Sequence, residues 1–289
     1  MSPQPRLVDP ARLARARARA RLDVAGFLHD EAFAELQERL IDVNRTFTAP
    51  ALVTPFPEVW ADLLPGARIV APDETLDLVP GAHDLVVHAM ALHWADDPVG
   101  QIVQCRRALC PDGLFLSVAL GGETLTELRQ ALAQAEAETL GGLSPRVAPM
   151  AEIRDMGALL QRAGLALPVA DRLHKTVTYP DAFALMADLR AMGETNALAE
   201  RHRRPSPRAL FLRMAETYAA HFAAPDDPAR IHASFELIFL SGWAPHDAQP
   251  KPLRPGAAKA RLADALGTSE FDATAQPVLH PSDDRGRKR

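Results

Sequence analysis

The pattern of apolar positions divides the chain into alternating short runs and helical stripes. Phe33, Leu36, Leu40 and Val43 recur every three to four positions, which predicts a helix over Glu31–Val43. Ala51–Val53 is a short apolar run stopped by Thr54-Pro55 and reads as a strand. Pro57–Leu64 suits a short helix with proline in its first turn, and Arg68–Ala71 a strand ended by Pro72. Asp84–Met90 and Leu114–Leu120 are continuous apolar runs, the signature of strands buried on both faces. Between them, Asp96-Asp97-Pro98 opens a helix through Ile102, Cys105 and Leu109, and Pro111-Asp112-Gly113 is a turn. Thr124 and Glu127 have the spacing of a capping box, ahead of a stripe of Leu125, Leu128, Leu132 and Ala135 that Gly141-Gly142 ends.

Further on, the pattern predicts a helix over Met150–Ala163 and a loosely alternating edge strand over Val169–Tyr179. A helix from Pro180 through Leu189 follows, then another over Leu210–Phe222, then a strand over Ile231–Trp243. RHRRPSPR at Arg201–Arg208 is a basic, proline-broken connection. Strands alternating with helices imply a mainly parallel sheet covered on both faces, with ligands beyond the carboxyl ends of its strands.

Composition narrows the function classes. In 289 residues, 37 acids against 32 bases leave a net charge of −5, which argues against a protein devoted to nucleic acid. The Arg-rich stretch Ala11–Leu22 contains no serine and is flanked by Asp9 and Asp23, so it reads as a solvated helix in preference to a transit peptide. Two cysteines, Cys105 and Cys110, fall five apart in one expected helix. They can build neither a disulfide framework nor a zinc site, and a reducing, cytoplasmic location is expected. No apolar run reaches the ~18 residues of a membrane span, and no apolar leader is visible. Prolines (25) outnumber glycines (16).

Four loops hold candidate chemistry. After the strand Asp84–Met90 come His93, a possible general base, and Trp94, a possible stacking platform; packing roles explain both equally well. Gly121 and Gly122 would let backbone approach a ligand, with Thr124 behind them and Glu123 and Arg129 able to hold polar groups, although a plain strand-to-helix turn explains them too. Arg146 in GGLSPR and Trp243 in GWAPHD are weaker candidates for substrate or partner contact.

LHWADD, PDGLFLSVALGGETLTELRQAL, GGLSPRVAP, MADLRAMGETNAL and GWAPHDAQPKPLRPG closely resemble a branch of the class I S-adenosylmethionine-dependent methyltransferases. That branch includes the complex I assembly factor with arginine-hydroxylase activity; the biotin-pathway malonyl-carrier methyltransferases are more distant. The resemblance runs from about Asp9 to about Leu266. It implies a Rossmann-like methyltransferase sheet with helices on both faces and an N-terminal helical extension. The expected layout is a helical segment over 1–48, the methyltransferase-like domain over 49–267 with a helical insertion at about 180–225, and a disordered tail over 268–289. The implied cofactor is S-adenosylmethionine, with Asp73 near its adenine and Ala89 and Met90 lining the site. His93, Trp94, Glu123 and Arg129 would lie on the substrate side, and a complex I subunit is the implied protein partner.

The sequence departs from that pattern where the cofactor would bind. The family's first strand ends in a glycine-rich loop, and here Thr54-Pro55-Phe56-Pro57 stands in its place. Ala51 and Asp84 are 33 positions apart, room for one strand-helix unit of ~30 residues. One βα unit, containing the strand whose acid grips the ribose, is therefore expected to be missing. Two readings follow: an S-adenosylmethionine-dependent enzyme, or a binding and assembly protein on the same fold that has lost the cofactor.

Overall fold

A computed structural model describes residues 6–250. The tail expected over 268–289 lies outside them. The order of elements is α1 (Pro10–Arg17), α2 (Leu22–Ala25), α3 (Phe27–Val43), β1 (Pro50–Val53), α4 (Pro57–Trp60), β2 (Arg68–Val70), β3 (His83–Ala89) and α5 (Pro98–Ala108). Then come β4 (Leu109–Leu120), α6 (Thr126–Leu140), α7 (Ile153–Arg162), β5 (Ala166–Tyr179), α8 (Ala182–Ala191), α9 (Arg208–His221), β6 (Ala223–Ala224) and β7 (Asp227–Trp243).

The strands form one sheet in the order β2-β1-β3-β4-β7-β5, with the short β6 paired to β7. β1 to β4 are parallel, and β7 enters antiparallel between β4 and β5. The expected α/β fold with helices on both faces and an N-terminal helix is borne out. Side chains alternate across the sheet: Leu85 and Val87 join a core packed by α3, α6, α8 and α9, whereas Val86, Phe115 and Ile238 join one packed by α5 and α7. β2 pairs directly with β1, so no strand stands between them.

Three local expectations differ. β4 starts at Leu109, so the Pro111–Gly113 turn is absorbed as an irregularity of the strand, with Asp112 at φ 63°. Cys110 therefore lies on β4 while Cys105 is buried on α5. The capping box does not form either. Leu125 occupies the N-cap position in a left-handed conformation (φ 57°) with no side-chain cap bond. Thr124 Oγ1 instead donates to the Glu236 carbonyl (3.2 Å) and accepts from its N–H (3.1 Å). Glu127 accepts from Ser234 N–H (3.1 Å) and its hydroxyl (2.5 Å). Both side chains are drawn to β7, where burial makes unmade bonds costly. Among the described residues no helix is long and apolar enough to cross a membrane.

Candidate functional site

Strand order reverses between β1 and β3, so the carboxyl ends of these strands mark the usual ligand crevice. β3 ends at Ala89, and the chain turns sharply at Met90, held at φ 50°. That strained turn leads into a 3₁₀ turn, Leu92–Trp94, whose side chains point inward.

His93 and Trp94 meet at one carboxylate. Trp94 Nε1 donates to Glu194 Oε2 at 2.7 Å, and His93 Nε2 lies 3.3 Å from Glu194 Oε1. His93 Nδ1 accepts from Leu120 N–H (3.4 Å), which leaves the proton on Nε2, facing Glu194. The His93 side chain is wholly buried and that of Glu194 nearly so. Burial pushes the Glu194 carboxyl up, but the hydrogen bonds of His93 and the Trp94 indole and the charge of Arg17 together hold it below the ordinary carboxylate value. Arg17, on α1, is shifted down by its own desolvation and partly restored by Glu194 and Asp73.

Trp94 and Glu194 of this cluster line an open-mouthed cavity of about 310 Å³ between α1, α6, α8 and α9. Its apolar lining includes Leu128, Leu132, Met186, Leu189 and Phe211, and Arg12, Arg146 and Arg190 supply charge.

At the end of β1 the loop is closed on itself. Thr54 N–H donates to the Val70 carbonyl (3.0 Å) and Phe56 N–H to Thr54 Oγ1 (3.2 Å). Pro55 and Pro57 have no N–H. Phe56 and Trp60 are buried, Phe56 edge-on to His29 (centroids 5.2 Å apart) and Trp60 donating to His29 Nδ1 at 3.0 Å. Burial pushes His29 down to about 4, so its ring is a neutral acceptor. Four consecutive residues thus present no N–H to a ligand's anionic group.

The other residues singled out from sequence scatter. Ala89 and Met90 are buried in the core shared with Phe56 and Trp60. Asp73 is exposed beyond β2, its carbonyl accepting from Gln101. Glu123 faces the β5 and β7 side, paired with Arg172 (2.9 Å) and His174 (3.2 Å). Gly121 packs where a Cβ would overlap Glu236 and Ile238, and Gly122 lies against Glu152. Thr124 is fixed to Glu236 as described, and Arg129 donates to the Ala148 carbonyl (3.2 Å), holding the loop after α6. Trp243 pairs with Leu114, at the amino end of β4 and so away from His93. Only Trp94 and Arg146 of the predicted set line the cavity, with His93 behind the wall. Glu194, Arg12, Arg17 and Arg190 escaped the sequence reading. The signal for Glu194 was its place in the family-like segment MADLRAMGETNAL.

Comparison with known proteins returned named relatives. The mitochondrial arginine-hydroxylase NDUFAF5 of Dictyostelium discoideum is 40% identical over 188 residues, 65% of this chain and 43% of that protein. The human protein of the same name is 35% identical over 195 residues, 68% of this chain and 56% of its own length. The malonyl-[acyl-carrier protein] O-methyltransferase of Xylella fastidiosa is 36% identical over 181 residues, 63% of this chain and 58% of its own. The chain thus spans about half the length of these relatives. A solved SAM-dependent methyltransferase from Thermotoga maritima superposes with a TM-score of 0.40 at 10% identity, covering 77% of this chain and 93% of that one. No family model matches.

Proposed function

Sequence kinship with the class I S-adenosylmethionine-dependent methyltransferases, in their arginine-hydroxylase and malonyl-carrier branches, is the premise from which we propose a function. In this reading the chain is a methyltransferase-fold binding protein that works in respiratory complex I assembly without the cofactor. The observation that carries it is the loop after β1. Thr54–Pro57 offers no free N–H, and Phe56, Trp60 and His29 fill the space beside it with ring-on-ring contacts. The residues present therefore do not suit the methionine end of S-adenosylmethionine, and no methyl-transfer step is assigned to the chain.

What the fold keeps is the other half of the crevice, where Trp94, Glu194 and the arginine-lined cavity stand. Partner recognition by that half needs no cofactor, and fold alone does not dictate chemistry. The proposed partner is a complex I subunit.

Calorimetric titration of the full chain with S-adenosylmethionine to millimolar concentration tests the reading. No saturable heat is expected. Micromolar binding would return the chain to the catalysts. A pull-down against complex I subunits should retain one of them, and an empty eluate would remove the assembly role.

A further inference from the structure

The cavity beside Trp94 has a composition that its surroundings do not use. Leu128 and Leu132 from α6, Leu189 from α8 and Phe211 from α9 give it apolar walls. Its charged groups are Glu194, Arg12, Arg146 and Arg190. Glu194 is engaged by Trp94 and His93. Arg146 binds Glu136 through one terminal nitrogen (2.7 Å) and Ser206 through the other (3.1 Å), yet its Nε is buried with no acceptor. Arg12 donates only to the Asn196 carbonyl, at 3.5 Å, and neither it nor Arg190 pairs with a carboxylate among the described residues. With Arg146 paired to Glu136, Arg12 and Arg190 against the committed Glu194 leave the lining net positive, although the whole chain carries −5.

The geometry points to a binding site for a small amphipathic anion, a carboxylate on a saturated hydrocarbon body. Its chain lies along the Leu and Phe walls and its head meets Arg190 and Arg12. The volume of about 310 Å³ sets its size. At roughly 30 Å³ per water-sized unit, it holds about ten non-hydrogen atoms, the size of octanoate. The site needs neither the cofactor nor a protein partner, so it stands or falls separately from the function proposed above.

The test is titration of the full chain with straight-chain carboxylates, followed by calorimetry and by tryptophan fluorescence, since Trp94 lines the cavity. Octanoate should bind with a dissociation constant on the order of 0.1 mM, reasonable for a ligand of this size. From butanoate to octanoate each methylene should tighten binding about fourfold, and the gain should stop near decanoate as the cavity fills. Octanol and octylammonium should bind at least tenfold more weakly. Arg190→Ala, at an exposed residue with no ion pair, should weaken octanoate about tenfold while leaving octanol unchanged. Leu132→Trp should abolish binding by filling the space. The proposal is overturned if octanoate gives no saturable signal at millimolar concentration, if octanol binds as well as octanoate, or if Arg190→Ala leaves the affinity unchanged.

Discussion

Glu194 answers to three groups at once: the Trp94 indole, the His93 ring and the charge of Arg17. A carboxylate so deeply placed stays ionised only because these partners outweigh its desolvation. Glu194→Gln removes the charge but keeps the shape, and leaves Arg17 with Asp73 as its remaining compensating carboxylate. A loss of about 3–5 kcal/mol in urea-unfolding stability is expected, the range for breaking a buried charge pair. Gly121 makes a steric counterpart. A methyl there would overlap the Glu236 carboxylate and the Ile238 side chain, both fixed within β7. Gly121→Ala should cost about 1–3 kcal/mol by overpacking, and an unchanged urea midpoint would show that β7 can yield.

Between elements, α6 is tied to β7 by side chains that the sequence seemed to assign to helix capping. Thr124 gives and takes one hydrogen bond with the Glu236 backbone, and Glu127 takes two from Ser234. Thr124→Val keeps the volume and strands the buried Glu236 N–H, while the Glu236 carbonyl keeps the Gly121 N–H (2.8 Å), so about 1–3 kcal/mol of stability should be lost. A true helix cap would also lower the helical signal of the folded state; here far-UV circular dichroism should not change. The misreading is instructive. A Thr-x-x-Glu spacing is a local signal, and the competing partner arrives from more than a hundred positions away. Continuous apolar runs such as those of β3 and β4, buried on both faces, were legible because burial leaves a mark at every position. The bulk of Phe56 and the prolines beside it were legible for the same reason: they alter what the backbone itself can do. Glu194 was marked only by its place in the family-like segment MADLRAMGETNAL, and its role was not legible because its partner Trp94 lies 100 positions away.

For the whole molecule, the packing at the end of β1 has a consequence that pH reveals. His29 beneath Phe56 and Trp60, and His88 on β3 bonded to Gln101 (2.8 Å), are both pushed down to about 4 by burial. In the unfolded chain both titrate near 6.5. Above that pH both rings are neutral in either state and the folded protein has its full stability. As pH falls from about 6.5 to about 4 the unfolded chain binds the extra protons, so stability falls with pH; below about 4 these two groups add no further slope. The loss is a few kcal/mol for each ring by the usual 1.36 kcal/mol per unit. Glu136, held down to about 2 chiefly by the hydrogen bonds of Arg146 and Ser144 against its desolvation, acts in a separate window: its stabilisation is present above about 4.5 and is lost as pH falls toward 2. Urea midpoints measured from pH 7.5 to pH 3 should therefore decline in two stages, the first between about 6.5 and 4. His88→Gln, which replaces the titrating ring with a neutral amide, should shrink that first stage and leave the second in place. An open crevice at the end of β1 would solvate His29 and return it toward 6.5, so a flat first window in the His88→Gln variant would contradict the packing of Phe56 and Trp60 against His29.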